Sequence, residues 1–230
     1  MIVDESQEQR DMELAALTGL GVEDVRGLQI AGPDSIRIHD GNEAVNTPEE
    51  FESLYSSYRH LNLPGYVRTL MYTSIHRRHD ELLRLLRETR NARGLDFGSG
   101  VATHAIALAE DGNEVSLLDV EGPLLDFARK RIARRRLQAK VYGHKDRLPE
   151  DYFDVAICTD VLEHVYDPLG ELERIAASLK TGGLLHLQVS RMQKDTSGHF
   201  KSTQKKWRWK GPRLIRRLFD TVRPTIYRKK

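Results

Sequence analysis

The chain has 230 residues, of which 39% are hydrophobic and 30% charged, and its formal net charge is +2 at pH 7. That length suits one sizeable core, so we expect a single domain with some decoration. The single cysteine, Cys158, excludes an internal disulfide and a Cys-rich zinc site, and no apolar run is long enough to span a bilayer. The acidic first residues lack the order of a secretory signal, which indicates a cytoplasmic protein.

Residues 1–90 are predicted to form a helical extension that serves as a lid. Thr47, Pro48 and Glu50 have the pattern of a helix N-cap, a first helical residue and a capping box. The apolar residues after them share a helical spacing, and so do those of a second segment. The first set is Phe51, Leu54, Tyr55 and Tyr58, and the second is Val67, Leu70, Met71, Ile75, Leu82, Leu83 and Leu86.

In residues 91–230, short apolar strands are predicted to alternate with helices. Strands are predicted at 95–97, 114–119, 139–143, 153–160 and 184–190, and helices at 105–110, 123–135 and from 168 to the TGG sequence at 181–183. Alternation of this kind is typical of parallel pairing with right-handed crossovers. We therefore predict an α/β fold with a doubly wound, mostly parallel sheet, whose ligands bind beyond the carboxyl ends of the strands.

The sequence LDFGSGVATHA at 95–105 indicates a nucleoside cofactor. Gly98 and Gly100 follow the first strand, where glycine lets the backbone approach a ligand, and a helix N-terminus lies behind them. Asp119 ends the second strand, where a carboxylate can accept from both hydroxyls of a ribose. A nicotinamide cofactor would favour glycine in place of Thr103. Its pyrophosphate is negatively charged and would not favour the carboxylate of Asp96. S-adenosylmethionine, which has an amine and no phosphate, fits better.

The stretch 94–189 resembles the class I S-adenosylmethionine-dependent methyltransferases, particularly the small bacterial-type group. LDFGSGVAT resembles their first motif, and residues 148–187 resemble their fourth strand, the helix after it and their fifth strand. The resemblance implies a Rossmann-like methyltransferase fold that binds S-adenosylmethionine. The cofactor residues that it implies are Asp96, Gly98 and Gly100 on the methionine side, Asp119 and Val120 at the ribose, and Asp160.

The chain departs from that family at two positions. Ala102 stands where a third glycine is usual, and His144 stands where an acid that meets the adenine amine is common.

TDVLEHV, at 159–165, holds the candidate catalytic residues, Glu163 and His164. Asp160, Glu163 and His164 fall on one side if a helical turn begins after the fourth strand. The pattern is similar to that of ubiquinone-biosynthesis O-methyltransferases and of enzymes that methylate the 3′ ends of small RNAs, which suggests His199 as a fourth ligand. Three alternatives stay open: a Mg²⁺ or Zn²⁺ site at these four residues, a metal-free base at His164, or a pocket wall.

The carboxyl-terminal segment 201–230 is strongly basic and contains Trp207 and Trp209. It is predicted to contact RNA or an anionic membrane, or else to pack on the sheet as a helix through an apolar stripe. That stripe is Leu214, Ile215, Leu218, Phe219 and Val222. Related enzymes have two strands after this helix, but at most one full strand fits here, so the sheet is expected to have six or seven strands with six favoured. The cations of RKRIARRRL, at 129–137, are interpreted as solvated surface.

The function that these features favour is methyl transfer to an oxygen of a small or lipid-like acceptor, by a cytoplasmic enzyme that is peripheral at a membrane in one version. The alternatives are an RNA methyltransferase that uses the basic segment, a non-catalytic methyltransferase-fold partner subunit and, last, a nicotinamide oxidoreductase. Acceptor pockets come from variable insertions, so the motifs do not name the acceptor.

Overall fold

The computed structural model describes residues 6–28, 47, 49–50, 64–65, 67–68, 70–71, 80–189 and 201–230. Several predictions lie outside the described residues: those for Pro48, for the stripe from Phe51 to Tyr58, for Ile75 and for His199. Thr47 and Glu50 are described, and the backbone N–H of each donates to the side chain of the other at 3.2 Å. The predicted capping box is thus confirmed.

The described elements begin with three helices, after which strands alternate with helices except at two places where one strand directly follows another. The helices are α1 Gln7–Thr18, α2 Val22–Gly27, α3 Asp80–Glu88, α4 Thr103–Glu110, α5 Pro123–Arg134, α6 Pro168–Ser178 and α7 Lys201–Leu218. The strands are β1 Arg93–Phe97, β2 Glu114–Asp119, β3 Ala139–Gly143, β4 Phe153–Thr159, β5 Leu179–Gln188, β6 Phe219–Arg223 and β7 Ile226–Lys229. A short 3₁₀ turn, Leu162–His164, follows β4.

The strands form a single seven-stranded sheet in the order β3-β2-β1-β4-β5-β7-β6. The first five strands pair in parallel, whereas β7 is antiparallel to both β5 and β6. The predicted doubly wound, mostly parallel sheet is confirmed. The order reverses between β1 and β4, and a sheet of this kind binds ligands outside the carboxyl ends of the strands at that reversal.

Apolar clusters lie on both faces of the sheet and at its carboxyl edge. On one face, α3, α4 and α5 bury Leu86, Ile106 and Leu125 against the sheet. On the other face, α6 and α7 do the same with Leu172 and Leu214. A third cluster joins α1 and α2 to the turn after β1, and its buried members are Leu14, Ala15, Val25, Val67, Met71, Val101 and Phe127. The N-terminal helices therefore pack beside the edge where ligands are expected.

Two predicted boundaries are wrong. Helix α6 ends at Ser178, before TGG, and β5 already begins at Leu179 with an irregular register opposite β4. Helix α7 ends at Leu218, and Phe219 and Val222 belong to β6, so the tail holds two strands and the sheet has seven. No helix in the described ranges is long and apolar enough to cross a membrane.

Candidate active site

The turn between β1 and α4 is fixed to the neighbouring strand by backbone hydrogen bonds. Gly98 N–H and Ser99 N–H both donate to the carbonyl oxygen of Leu118, at 2.8 and 3.1 Å. Gly100 N–H donates to Oδ2 of Asp119 at 2.6 Å. The predicted glycine turn and the predicted ribose acid are therefore in direct contact, at the end of two adjacent strands.

The two glycines of this turn are needed for different reasons. Gly98 has a φ of +72°, and a Cβ at this position would lie only 2.3 Å from Cγ2 of Val161. Gly100 has a φ of +51°, but a Cβ there would meet only Leu70, at 3.8 Å. Gly98 thus makes room for a protein side chain, whereas Gly100 presents backbone to a space that no other described residue fills.

Asp96 is buried beneath the turn and accepts from the first turn of α4. Its Oδ2 accepts from Ala105 N–H at 3.0 Å, and its Oδ1 lies 3.6 Å from Nδ1 of His104. Ala102, at the N-cap position of α4, has no side chain for this purpose, so Asp96 supplies the missing acceptor. The predicted contact of Asp96 with the methionine end of a cofactor stays a prediction.

Both carboxylate oxygens of Asp119 accept backbone hydrogen bonds at the end of β2. Its second oxygen, Oδ1, accepts from Val120 N–H at 2.7 Å, so each carboxylate oxygen has one backbone donor and one further lone pair. Burial raises the pKa of Asp119 to about 6, although the hydrogen bonds from Gly100 and Val120 oppose that rise. A ligand that donates to this carboxylate therefore meets a group whose charge changes just below neutral pH.

His144 lies beside Asp119, because β3 pairs Gly143 with Asp119 and the charge of the imidazole acts on that carboxyl. Its Nε2 is 3.1 Å from Oε1 of Glu171, and its Nδ1 is buried with no hydrogen-bond partner in the described part of the chain. Burial alone would raise the pKa of Glu171, but the hydrogen bond from His144 and the charges of His144 and Arg174 lower it. Glu171 is a site residue that the sequence reasoning missed.

The candidate catalytic residues follow β4 at the reversal of strand order. Asp160 has a left-handed backbone, with a φ of +54°, and its N–H donates to Gln188 O at 3.0 Å, which ties the end of β4 to β5. Its side chain is exposed, that of Glu163 is fully buried, and that of His164 is partly buried. The predicted helical turn exists as a 3₁₀ turn, but the three side chains occupy different environments.

The three described residues predicted as metal ligands, Asp160, Glu163 and His164, do not form a metal site. In the part of the chain that the structure describes, no three carboxylate, imidazole or thiolate side chains are grouped closely enough to hold a metal ion. Asp160 is exposed while Glu163 is fully buried, so the two carboxylates differ in their access to a shared ion. The fourth predicted ligand, His199, lies outside the described residues.

Two other predictions about side chains have opposite outcomes. Cys158 is buried in β4, as expected for an inert core residue, and burial raises the pKa of its thiol. The interpretation of 129–137 as solvated surface is wrong for Arg131, which is 1% exposed and is paired with Glu13 of α1. Burial favours the neutral form of Glu13, but hydrogen bonds from Arg135 and the charge of Arg131 hold its pKa below the usual value.

The sheet order, the glycine turn and the acid at the end of β2 define a class I S-adenosylmethionine-dependent methyltransferase domain. A model of the methyltransferase domain family matches residues 69–224, which is more than half of the chain. The chain belongs to that family.

Curated relatives match a shorter part of the chain. The chain is 35% identical over 102 residues to a ubiquinone biosynthesis O-methyltransferase of Xanthomonas campestris pv. campestris, and the match covers 43% of each protein. It is 31% identical over 112 residues to the protein of the same name from Vibrio cholerae, covering 46% of this chain and 44% of the relative. The chain thus matches less than half of the length of these relatives.

Solved structures with a related fold share less sequence. A SAM-dependent methyltransferase from Aquifex aeolicus is 15% identical, with a TM-score of 0.48, over 62% of this chain and 80% of that one.

Proposed function

We propose that the protein transfers a methyl group from S-adenosylmethionine to an oxygen of a small or lipid-like acceptor. The observation that carries the proposal is the contact between the open turn at Gly100 and the carboxylate of Asp119. It leaves backbone and a two-oxygen acceptor facing one space at the carboxyl ends of β1 and β2. The names of the 35% and 31% identical relatives, which are O-methyltransferases, support oxygen as the accepting atom.

The described residues would hold the cofactor along the ends of β1, β2 and β3. Asp119 would accept from the ribose hydroxyls, beside the backbone of Val120. Gly98 and Gly100 would form the turn at the methionine end, with Asp96 beneath it and Asp160 across the reversal. His144 would take the place of the usual acid: in its neutral form, with Nε2–H donated to Glu171, its buried Nδ1 would accept from the adenine amine.

S-adenosylmethionine supplies a methyl group that its sulfonium already activates, so positioning is the larger part of what the protein contributes. A hydroxyl acceptor also has to lose its proton. His164 is the residue proposed for this step, because it follows β4 at the site edge and its side chain is partly exposed. Glu163 is fully buried, so its proposed role is to position the turn rather than to touch the acceptor.

Calorimetry with S-adenosylmethionine, S-adenosylhomocysteine and NAD tests the cofactor. We expect the first two to bind and NAD to give no heat. Binding of NAD without a response to the other two would overturn the proposal and return the oxidoreductase alternative.

The role of His164 is tested with the His164→Ala variant at saturating cofactor. We expect kcat to fall by about 10²–10⁴-fold, the usual contribution of a positioned general base, while the Kd for S-adenosylhomocysteine stays within about twofold. Arg147→Gln, at an exposed side chain in the loop after β3, is the control and should keep the wild-type kcat. Full turnover by the His164 variant would show that this residue only lines the pocket.

The exposed face of α7 supports a second proposal, that the enzyme works at an anionic lipid surface. This basic face consists of Lys205, Trp209, Arg213 and Arg216, which are spaced by four, four and three residues and are all exposed. No acidic side chain within the described ranges pairs with its three cations. Lys206, next to the face, lies 5.7 Å from the ring of Tyr166, two residues after His164, so the face begins close to the proposed reaction site.

A further inference from the structure

Helix α1 directs carboxylates into the interior of the protein. Asp11 and Glu13 are both buried, which is costly unless each carboxylate is paired. Oδ1 of Asp11 lies 3.3 Å from Nε of Arg68, and Oε2 of Glu13 lies 2.8 Å from Nη2 of Arg131. The docking surface of α1 is therefore specified by buried ion pairs as well as by the apolar contacts of Leu14.

Arg131 extends this docking surface into the cofactor turn. Its Nη1 donates to the carbonyl oxygen of Val101 at 2.5 Å and to Oγ1 of Thr103 at 3.1 Å. Val101 belongs to the turn after β1, and Thr103 is the first residue of α4. A single buried guanidinium thus connects a carboxylate of α1, a backbone carbonyl of the turn and the start of the following helix.

The carbonyl that Arg131 holds belongs to the peptide that precedes Ala102. Ala102 has a φ of +60°, a left-handed conformation that is unfavourable for any residue with a Cβ. Its own N–H donates to Ser99 O at 2.7 Å, so both sides of the peptide between 101 and 102 are anchored. A left-handed conformation at a non-glycine residue persists only where surrounding contacts stabilise it. At Ala102 these contacts include the hydrogen bond from Arg131 to the Val101 carbonyl.

We propose that Glu13 and Arg131 are positioning residues for the cofactor, through which the docking of α1 and the binding of the cofactor are coupled. Glu13 neutralises and orients the guanidinium, and the guanidinium holds the Val101 carbonyl and with it the shape of the turn at Gly98 and Gly100. Neither side chain has to touch the cofactor. The inference rests on the proposed function only in taking S-adenosylhomocysteine as the ligand.

Coupling between two sites is reciprocal, so it is measurable from the side of α1 without any substitution. Hydrogen exchange of the full chain is followed with and without S-adenosylhomocysteine. We expect slower exchange of the amides in α1, Gln7–Thr18, when the ligand is bound. Protection confined to the turn and the strand ends, with α1 unchanged, would overturn the coupling.

The matched variants are Glu13→Gln and Glu8→Gln, on the same helix. Glutamine at 13 removes the charge that orients Arg131, whereas Glu8 is exposed and pairs with the exposed Arg26 of α2. By calorimetry below the unfolding temperature, we expect the Kd for S-adenosylhomocysteine to rise about tenfold in the first variant and to stay unchanged in the second. Equal Kd values for Glu13→Gln and wild type would show that the pair only stabilises the fold.

Ala102→Gly tests the part assigned to the turn. Glycine adopts the left-handed conformation without strain, so the turn should depend less on Arg131. We expect Glu13→Gln to weaken ligand binding by less than about threefold in this background, a non-additivity typical of coupled residues. An equally large loss of ligand affinity in the Ala102→Gly background would contradict coupling through the Val101 carbonyl.

The outcomes separate this inference from the proposed function. Failure of the wild-type chain to bind S-adenosylhomocysteine would overturn the proposed function. Normal wild-type binding with no effect of Glu13→Gln and no protection of α1 would overturn only the coupling. If Glu13→Gln does not fold, the exchange experiment on the wild-type chain decides.

Discussion

Gly98 and Gly100 show how one sequence motif combines a packing requirement with a binding requirement. Both residues have a positive φ, at +72° and +51°, so both positions favour glycine. Only at Gly98 does a neighbour, Val161, occupy the place where a Cβ would lie. The sequence indicates that two glycines are needed, but the distinction depends on Val161, which is more than sixty residues away along the chain.

This distinction predicts that two alanine substitutions act mainly on different quantities, one on stability and the other on cofactor affinity. Gly98→Ala should reduce the free energy of unfolding by about 2–4 kcal/mol, because it adds a clash in a packed region to the backbone strain. Gly100→Ala should cost only about 1 kcal/mol of stability but should weaken cofactor binding by tenfold or more. Denaturant titration and calorimetry measure the two quantities. Val161→Ala should restore much of the stability in the Gly98 variant, and no restoration would contradict the clash.

The raised pKa of Asp119 predicts that cofactor affinity depends on pH. Since burial raises the pKa of this carboxyl to about 6, it is charged at pH 7.5 and becomes protonated as the pH falls through 6. The protonated form is a weaker acceptor for ribose hydroxyls, so the Kd should rise towards tenfold for each unit below pH 6 and be flat above pH 7. Calorimetry with S-adenosylhomocysteine between pH 5 and 8 checks this.

Asp119→Asn is the control for that profile. It should bind weakly at every pH and lose the dependence around 6, because the amide does not titrate. A wild-type Kd that is constant from pH 5 to 8 would contradict the assigned role of Asp119.

At the residue scale, motifs predicted contacts between neighbouring strand ends but not contacts from distant segments. The Gly100–Asp119 hydrogen bond follows from adjacent parallel strands, whose carboxyl ends meet at one edge. Arg131, by contrast, lies in a run of cations near a helix end, a pattern that usually indicates solvated surface. Its burial depends on Glu13, 118 positions earlier in the chain, and no local spacing carries that information.

At the scale of elements, the short apolar strands were the most predictable features. Strands β2 and β3 have the predicted bounds, because polar or turn-forming residues flank each apolar run. The sequence predicts a helix over 214–222, since its apolar residues recur at intervals of three and four positions. That spacing also suits a helix that ends at Leu218 and a strand that begins at Phe219, and pairing with β7 decides between them.

The strand assignment predicts unequal effects of two core-like substitutions. Phe219 is buried and packs edge-on against Tyr227, whereas Val222 is 40% exposed. Phe219→Ala should therefore reduce stability by about 3–5 kcal/mol, and Val222→Ala by less than about 0.5 kcal/mol. A continuous helix would bury both residues, which are three apart, and comparably large losses by denaturant titration would favour it.

At the scale of the whole molecule, the charge of the chain is unevenly placed. The formal net charge is only +2, but α7 contains no acidic residue, and its cations from Lys205 to Arg217 are exposed. Its opposite side, including Leu214, packs on the sheet, which is the packing alternative left open by the sequence. The packing role is present in the fold, and the surface role is the second proposal.

The basic face predicts salt-sensitive binding to vesicles that contain anionic lipid. Each cation near such a surface contributes about 1 kcal/mol, and Trp209, which is 66% exposed, suits the interface between head groups and acyl chains. Co-sedimentation with phosphatidylserine vesicles should therefore fall steeply as salt rises, since screening weakens these charges. Arg213→Gln with Arg216→Gln should lower the affinity by tenfold or more.

Arg147→Gln, at another exposed cation, in the loop after β3, is the matched control and should bind vesicles like the wild type. Uncharged vesicles should not bind, because the proposed attraction is to anionic head groups. Binding to single-stranded RNA but not to vesicles would overturn the lipid surface as the proposed partner and favour a nucleic acid. The phosphates of RNA give the same salt dependence. Binding to neither at low salt would show that Lys205, Trp209, Arg213 and Arg216 are only the solvated side of α7, and the enzyme would then have to meet its acceptor without this face.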